Sequence, residues 1–364
     1  MNTPPDRWIE VAVQTPAHSG VGDLLTYRSP QPVVPGQLVR VPLGRREVLG
    51  VVWNTLTSAP PLAPQTIKTI TGVLDGLAPL DPGWRQLMAF GAQYYQRSLG
   101  EMALSALPPQ LRELDSVQLA RRLKKMRDAP QLTPQPGPTL SAQQADALQQ
   151  IAQHPGPFLL FGSTGSGKTE VYLRAVAQRL QADPQAQALI LVPEINLTPQ
   201  LETRVRERFG DAAVVAMHSG LTPAQRLKSW LAAHSGAARI VLGTRMAVLA
   251  SMPHLQLIVV DEEHDPSYKQ QEGARYSARD LAIYRGQLEG AKVILGSATP
   301  SLESWYHSRP ATESAPAGRY MRLAMPSRVG QGALPMVRRV DMNRQPYKTV
   351  FSNHLLDAMR ERVT

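Results

Sequence analysis

The run Gly162-Ser-Thr-Gly-Ser-Gly-Lys-Thr169 has the residue types and spacing of a phosphate-binding loop. It follows the apolar stretch Phe158-Leu-Leu-Phe161 and opens the amphipathic stretch Glu170 to Leu180, the strand-to-helix setting such a loop requires. Gly162, Gly165 and Gly167, with Thr164 and Ser166 between them, let the backbone wrap around phosphate with its amides inward. The positive N-terminal end of the following helix adds to the attraction. Lys168 is placed to reach β- and γ-phosphates and Thr169 to ligate Mg²⁺, and Glu170 is grouped with them as part of the nucleotide-binding set. A merely structural glycine turn is the competing reading, and the flanking elements disfavour it.

A carboxylate-rich run, Asp261-Glu-Glu-His264, directly follows the apolar stretch Leu257-Ile-Val-Val260. Ligands of open α/β sheets bind outside the carboxyl ends of the strands, so this run is expected beside the loop. Asp261 suits a magnesium shell, and Glu262 either orients or deprotonates an attacking water. Two roles stay open for His264: sensing the γ-phosphate or packing beneath the loop. Gly296-Ser-Ala-Thr-Pro300 ends another apolar stretch and brings the hydroxyls of Ser297 and Thr299 to the same edge. Alone it is a turn signal. Beside the other two runs it is a candidate coupling element, because a hydroxyl pair can change partners on hydrolysis.

The elements that position these runs follow from the pattern around them. Six short, largely apolar runs between Phe158 and Leu295 alternate with amphipathic stretches, including Pro199 to Phe209 and Pro223 to Ala233. That cadence predicts an α/β fold, a doubly wound parallel sheet buried on both faces. Upstream, the β-branched runs Ile9 to Val13, Gln37 to Pro42 and Glu47 to Trp53 predict a small barrel or sandwich, with a hairpin-like turn at Leu43-Gly-Arg-Arg46. A helix from Gly83 to Arg97 follows, whose Trp84, Leu87, Met88, Tyr94 and Tyr95 read as packing core. Arg121-Arg-Leu-Lys-Lys-Met-Arg127 reads as an amphipathic helix with a solvated basic face, nucleic-acid contact being the alternative. The proline-dense stretch Ala129 to Pro138 reads as a linker.

Composition narrows the setting. The 364 residues include no cysteine, which excludes a disulfide framework, a thiol nucleophile and a thiolate zinc site, and fits a reducing cytoplasm. No run approaches the roughly 18 apolar residues of a spanning helix, and the first residues lack an export signal, so no membrane association is expected. Lys plus Arg number 39 against 29 Asp plus Glu, a net charge of +10 that favours a polyanion, although an acidic membrane surface fits charge alone. Residues 1–139 carry 14 basic and 10 acidic side chains, 140–300 carry 15 and 14, and 301–364 carry 10 and 5. The surplus therefore sits in the flanks of a nearly neutral centre, which places much of any polyanion contact there.

Taken in order, Gly162 to Thr169, Asp261 to His264 and Gly296 to Pro300 resemble motifs I, II and III of superfamily 2 helicases. Leu191-Val-Pro-Glu-Ile-Asn-Leu-Thr-Pro-Gln200, Met217-His-Ser-Gly220, Gly243-Thr-Arg245 and Asp265-Pro-Ser-Tyr-Lys-Gln-Gln-Glu-Gly-Ala-Arg-Tyr-Ser-Ala-Arg-Asp280 sharpen the likeness. With them the chain is similar to the PriA family of replication-restart helicases, densely from Thr139 to Ser301 and collinearly on both sides. The resemblance implies a RecA-like first helicase lobe preceded by a β-rich DNA-binding domain. It implies an ATP- and Mg²⁺-dependent 3′–5′ DNA helicase of the primosome that recognises stalled or collapsed forks and drives reloading of the replication machinery. The implied partners are forked or single-stranded DNA, other primosome proteins, a replicative helicase loader and single-strand-binding protein, in the cytoplasm at the nucleoid.

The same resemblance implies residue roles. Gln144, in Leu140-Ser-Ala-Gln-Gln144, would read adenine, and Glu194, Thr198, Gln200, Thr244 and Arg245 would line a single-strand track. Ser267 to Arg279 is similar to an aromatic-rich loop that couples DNA contact to hydrolysis; Tyr268 and Tyr276 suit base stacking, and Lys269, Arg275 and Arg279 suit phosphates. Gly44 and Lys68, with Leu25 and Thr26, fall on a pocket for the 3′ end of a nascent strand. Leu25-Thr26 stands where the better-known pattern has an aromatic followed by an acidic residue.

The expected division is a 3′-end-binding domain over 1–107 and a basic helix with a proline-rich linker over 108–139, too short for a full winged helix. Lobe 1 follows over 140–308, then the start of a connection over 309–364. Only 64 residues follow Pro300, so a second lobe with its arginine finger and the family's zinc site are expected to be missing, leaving hydrolysis incomplete. Two other readings compete: another superfamily 2 translocase acting on RNA or duplex DNA, and a non-catalytic fork-binding module in which the loop only reports nucleotide state.

Overall fold

The computed structural model describes residues 7–15, 22–58, 66–127, 134–194, 197, 199–312, 316–328, 337–346 and 348–363. Residues 1–329 form one compact unit and 330–364 another.

The first unit begins with β1 Arg7–Val13, β2 Leu24–Ser29, β3 Leu38–Leu43, β4 Arg46–Leu56 and β5 Gly72–Val73, in the antiparallel order β2-β1-β4-β3-β5. Alternation turns Ile9, Val11, Val13, Val39, Val41 and Val52 into one buried cluster. The predicted hairpin joins β3 to β4 through Gly44, whose φ of +62° is a conformation L side chains rarely adopt. Arg28 N donates to Lys68 O at 2.9 Å and Ile70 N to Arg28 O at 3.0 Å, tying β2 to the segment before β5 and bending the sheet toward a barrel. Leu24 to Ser29 has no strict alternation, which is why β2 was not legible in the pattern.

Helix α1, Pro82–Tyr94, is capped by Asp81, and α2, Leu99–Ser105, by Ser98. Trp84, Leu87 and Met88 are buried as their spacing predicts, whereas Tyr94 is 67 % exposed. Helix α3, Ser116–Arg127, buries Leu119 and exposes Arg121, Arg122 and Lys124, the solvated basic face of the amphipathic reading. Residues 129–133 of the proline-rich stretch lie outside the described residues. The stretch after them is strapped down, with Gln135 N donating to Arg208 O at 2.8 Å.

The larger sheet holds β6 Phe158–Gly162, β7 Gln187–Leu191, β8 Val214–Met217, β9 Ile240–Gly243, β10 Leu255–Val260, β11 Lys292–Ser297 and β12 Met321–Met325. Its order is β12-β6-β11-β10-β7-β9-β8, with every pair parallel. Around it run α4 Ala142–Gln153, α5 Lys168–Ala182, α6 Pro199–Phe209, α7 Pro223–His234, α8 Ala278–Glu289 and α9 Leu302–His307. This is the doubly wound α/β sheet the apolar runs predict. It also reaches beyond residue 308, because β12 pairs with β6 and buries Leu323 and Met325. Met321-Arg-Leu-Ala-Met325 has no β-branched residue to announce a strand.

One apolar core joins the N-terminal elements to the sheet. Trp84 Nε1 donates to Leu249 O at 2.8 Å, and Phe90 stacks on Tyr284 with ring centroids 3.8 Å apart. The second unit contains α10, Asn353–Val363, with Arg360 and Arg362 in its last turn.

Candidate nucleotide and nucleic-acid site

The glycine-rich loop leaves β6 and enters α5 through Gly165 and Gly167, with φ of +85° and +81°. Gly162 has no room for a side chain: a Cβ there would sit 2.6 Å from Ser166 Oγ and 2.8 Å from Met325 O. Lys168 is buried and folds back so that Nζ donates to Gly162 O at 2.9 Å. Thr164 is exposed at the loop tip, Thr169 is half-buried in the first turn of α5, and the hydroxyls of Ser163 and Ser166 are buried without a hydrogen-bond partner. Unpaired amides at the start of α5 and these hydroxyls form a cradle of donors suited to phosphate.

Two residues of the expected nucleotide set are engaged elsewhere. Gln144 is 3 % exposed; its Oε1 accepts from Ser141 N at 2.8 Å in a capping box and its Nε2 donates to Gly167 O at 3.3 Å. Its amide ties α4 to the loop, using one N–H and one carbonyl lone pair for that purpose. Glu170 is buried and accepts from Arg174 Nε and Arg208 Nη2, both at 3.0 Å, so it binds α5 to α6 rather than facing phosphate. Arg328, which the pattern did not single out, lies against the loop: a Cβ on Gly165 would be 3.9 Å from its Cγ and Cδ.

Asp261 directly follows β10 next door, with its N–H donating to Leu191 O at 2.9 Å. Burial first, then the negative charge of Glu262, pushes its carboxyl up to about 6, against the opposing influence of Tyr172 and Lys168. Glu262 has a φ of +45°, a strained backbone for a side chain poised at a reacting edge. His264 Nδ1 lies 2.8 Å from Ser297 Oγ, and its Nε2 lies 3.3 Å from Thr299 Oγ1. Thr299 N donates to the same Ser297 oxygen at 2.9 Å, so the histidine and hydroxyl pair proposed for coupling form one network. Glu263 is the member the sequence left unassigned. Its buried carboxylate accepts from Ser301 N at 2.7 Å, Ser304 Oγ at 2.9 Å and Ser301 Oγ at 3.1 Å, with Arg279 Nη1 at 3.4 Å.

Thr169 and Asp261 fit a magnesium ion shared with phosphate oxygens. Burial and the neighbouring charge of Glu262 leave the Asp261 carboxylate poorly stabilised as an anion, a deficit that a divalent cation would offset. Among the described residues no group of three or more His, Cys, Asp or Glu is arranged to hold a metal by itself.

Glu194, Thr244 and Arg245 line a cleft of about 510 Å³ with His218, Gln270 and Tyr276. Arg245 Nε donates to Gln270 Oε1 at 2.5 Å and pairs with Glu194 at 3.4 Å. Gln200 is exposed in the first turn of α6 outside this lining, and Thr198 lies outside the described residues. The loop tyrosines do not stand ready to stack on bases. Tyr268 is 2 % exposed, with its hydroxyl donating to Asp261 O at 2.6 Å, and Tyr276 is 6 % exposed within the core. Large apolar rings gain more from burial than from lying open in solvent, which composition alone does not reveal. Lys269 sits over the Tyr95 ring at 5.2 Å, Arg275 is exposed, and Arg279 is paired with Asp280 and Glu263. At the smaller sheet Lys68 Nζ donates to Gly44 O at 3.2 Å, both residues exposed, while Leu25 and Thr26 are half-buried on β2 opposite Val11 and Glu10.

A phosphate loop, an Asp-Glu-Glu-His edge and a Gly-Ser-Ala-Thr-Pro turn at the carboxyl end of a parallel sheet define a RecA-like lobe of the superfamily 2 helicase class. The DEAD/DEAH box helicase family matches residues 141–306, and the 3'DNA-binding domain (3'BD) family of PriA matches residues 10–108. The chain belongs to the PriA family. It is 36 % identical over 389 residues to the replication restart protein PriA of Synechocystis sp., covering 98 % of this chain and 45 % of that protein. It is 33 % identical over 397 residues to the Haemophilus influenzae protein of the same name, covering 89 % and 53 %. Over 209 residues it is 41 % identical to that of Bacillus subtilis, covering 57 % and 25 %. The chain thus spans about half the length of the first two relatives. Among the described residues no helix is long and apolar enough to cross a membrane.

Proposed function

We propose that the chain carries the DNA-end-binding and first motor portions of an ATP-dependent replication-restart helicase that acts on stalled or collapsed forks with 3′–5′ polarity. The observation that carries this reading is a physical link between the two edges of the site. The loop that donates from Tyr268 to the Asp261 backbone at 2.6 Å also holds Arg245 through Gln270 at 2.5 Å in the adjoining cleft. A strand in the cleft and a nucleotide at the loop would therefore act on one segment.

In this reading Lys168 and the loop amides hold the phosphates, Thr169 and Asp261 hold Mg²⁺, and Glu262 orients or deprotonates the attacking water. His264, Ser297 and Thr299 transmit the state of the γ-phosphate. Glu194, Thr244, Arg245, Lys269 and Arg275 meet DNA, and Gly44 and Lys68 meet a 3′ end. The division proposed is 1–107 for DNA-end binding, 108–139 as connector and 140 onward as motor lobe, with β12 added to it. Primosome proteins, a helicase loader and single-strand-binding protein are the proposed partners, at the nucleoid.

The 364-residue polypeptide on its own is proposed to bind Mg²⁺·ATP and forked DNA but to hydrolyse slowly, since helicase turnover draws on an arginine from a second lobe. The test measures ATP hydrolysis and nucleotide binding with forked DNA, blunt duplex and RNA, for the wild type and Lys168→Ala. Fork-specific binding with weak, Lys168-dependent hydrolysis is the expected result. Stimulation by RNA but not by forks would move the reading to another translocase, and equal affinity for fork and blunt duplex would remove fork recognition. Loss of 3′-end preference on Lys68→Ala is the expected outcome at the smaller sheet.

A further inference from the structure

Tyr172 has no place in phosphate binding, yet its hydroxyl ends at the nucleotide edge. It lies four residues after Lys168 on α5, on the same face of the helix. The side chain is 2 % exposed, and its buried hydroxyl has the Asp261 side chain as a hydrogen-bonding neighbour, outside ideal geometry. It runs so deep into the sheet that a Cβ on Gly296 would sit 1.4 Å from the phenol oxygen. Val260 and Leu295 are paired across β10 and β11, so Asp261 and Gly296, the next residues along, flank the point where the phenol ends.

A buried hydroxyl left without a partner would cost free energy that phenylalanine, of nearly the same volume, would avoid. Asp261 is the carboxylate beside the phenol oxygen, and when ionised it is the strongest class of acceptor. We propose that Tyr172 is a positioning residue, donating its hydroxyl proton to the Asp261 carboxylate and holding it in the orientation that receives Mg²⁺, with Gly296 a glycine in order to admit the phenol. The role is analogous to the outer partners that orient carboxylate ligands in metal sites. It rests on the reading of Asp261 as the magnesium-binding carboxylate of a nucleotide site.

The test titrates Mg²⁺ against binding of a fluorescent ADP analogue to the 364-residue chain, for wild type, Tyr172→Phe and Gly296→Ala, with melting temperatures recorded without metal. Tyr172→Phe is expected to raise the half-saturating Mg²⁺ concentration about tenfold. Its metal-free melting temperature should fall by no more than the loss of one buried hydrogen bond allows, so the variant stays folded and its Mg²⁺ requirement can be read. A residue that merely fills space would leave the Mg²⁺ requirement where it was. Gly296→Ala, which displaces the phenol without removing it, should raise the requirement in the same direction while lowering the melting temperature. An unchanged Mg²⁺ requirement in either folded variant overturns the positioning role and leaves the nucleotide site intact. Wild-type protein that shows no Mg²⁺-dependent binding overturns both.

Discussion

Asp261 is poorly solvated as a free carboxylate and well suited as a ligand, and its protonation should show that conflict. Its folded-state pKa of about 6 stands above the ordinary 3.8. The protonated carboxyl therefore contributes stability that is fully present below the unfolded value and is lost as pH rises through about 6. In chelator, Asp261→Asn should melt higher than wild type at pH 7.5, by an amount on the order of 1–3 kcal/mol after allowance for partial solvation. At pH 5 the two should differ little. Thermal melts at the two pH values check this, and a gap of equal size at both would show that burial does not oppress the charge. Phosphate-loop residues were legible because their spacing is the chemistry: glycines where φ is positive, then lysine and threonine at a helix start. Gln144 was read from the resemblance of its segment, and Tyr268 and Tyr276 from a similar loop and their ring type, and neither says that an amide already ties two elements together or that a ring is already buried.

Elements transmit what these residues do, and Glu263 shows how. Although it sits in the middle of the acidic run, its carboxylate points inward and gathers Ser301, Ser304 and Arg279, fastening the turn after β11 and the first turn of α9 to the end of β10. Glu263→Gln keeps the volume but loses the charge, and should destabilise by about 1–3 kcal/mol; Glu263→Ala, which leaves Ser301 N and Ser304 Oγ without their acceptor, should cost about 3–5 kcal/mol. Hydrogen exchange at the Ser301 and Ser304 amides should quicken in both variants before that of β10. Uniform quickening across the sheet would mean that Glu263 holds no local element. The parallel strands around it could be read from sequence because burial on both faces leaves an unbroken apolar run, as in Leu257 to Val260. Strands β2 and β12 could not: the first is half-exposed and the second is an edge strand, so neither carries that signature.

At the scale of the molecule, the barrel-like N-terminal sheet and the motor sheet share a core instead of meeting across a solvated joint. Trp84 is its pin, 1 % exposed, filling space between α1 and the motor sheet while Nε1 donates to Leu249 O. Nearby, Arg285 is fully buried, donates to Val248 O at 2.8 Å and pairs with Glu289 at 2.9 Å, and a Cβ on Gly83 would sit 2.9 Å from the Glu289 Cγ. Tyr95, just beyond α1, accepts from Ser277 N at 3.0 Å, so the N-terminal elements also touch the loop that reaches Asp261. Parts built this way should unfold together, giving wild-type residues 1–329 one cooperative transition. Trp84→Ala removes the pin and should cost about 3–5 kcal/mol, whereas Trp84→Phe, which keeps most of the ring and loses the hydrogen bond, should cost about 1 kcal/mol. If the shared core is what makes the unit cooperative, calorimetry of Trp84→Ala should resolve an early transition of the N-terminal sheet from a later one of the motor sheet. A single transition, shifted down intact, would place the coupling in the surrounding polar contacts, and Arg285→Met would then be the variant that splits it.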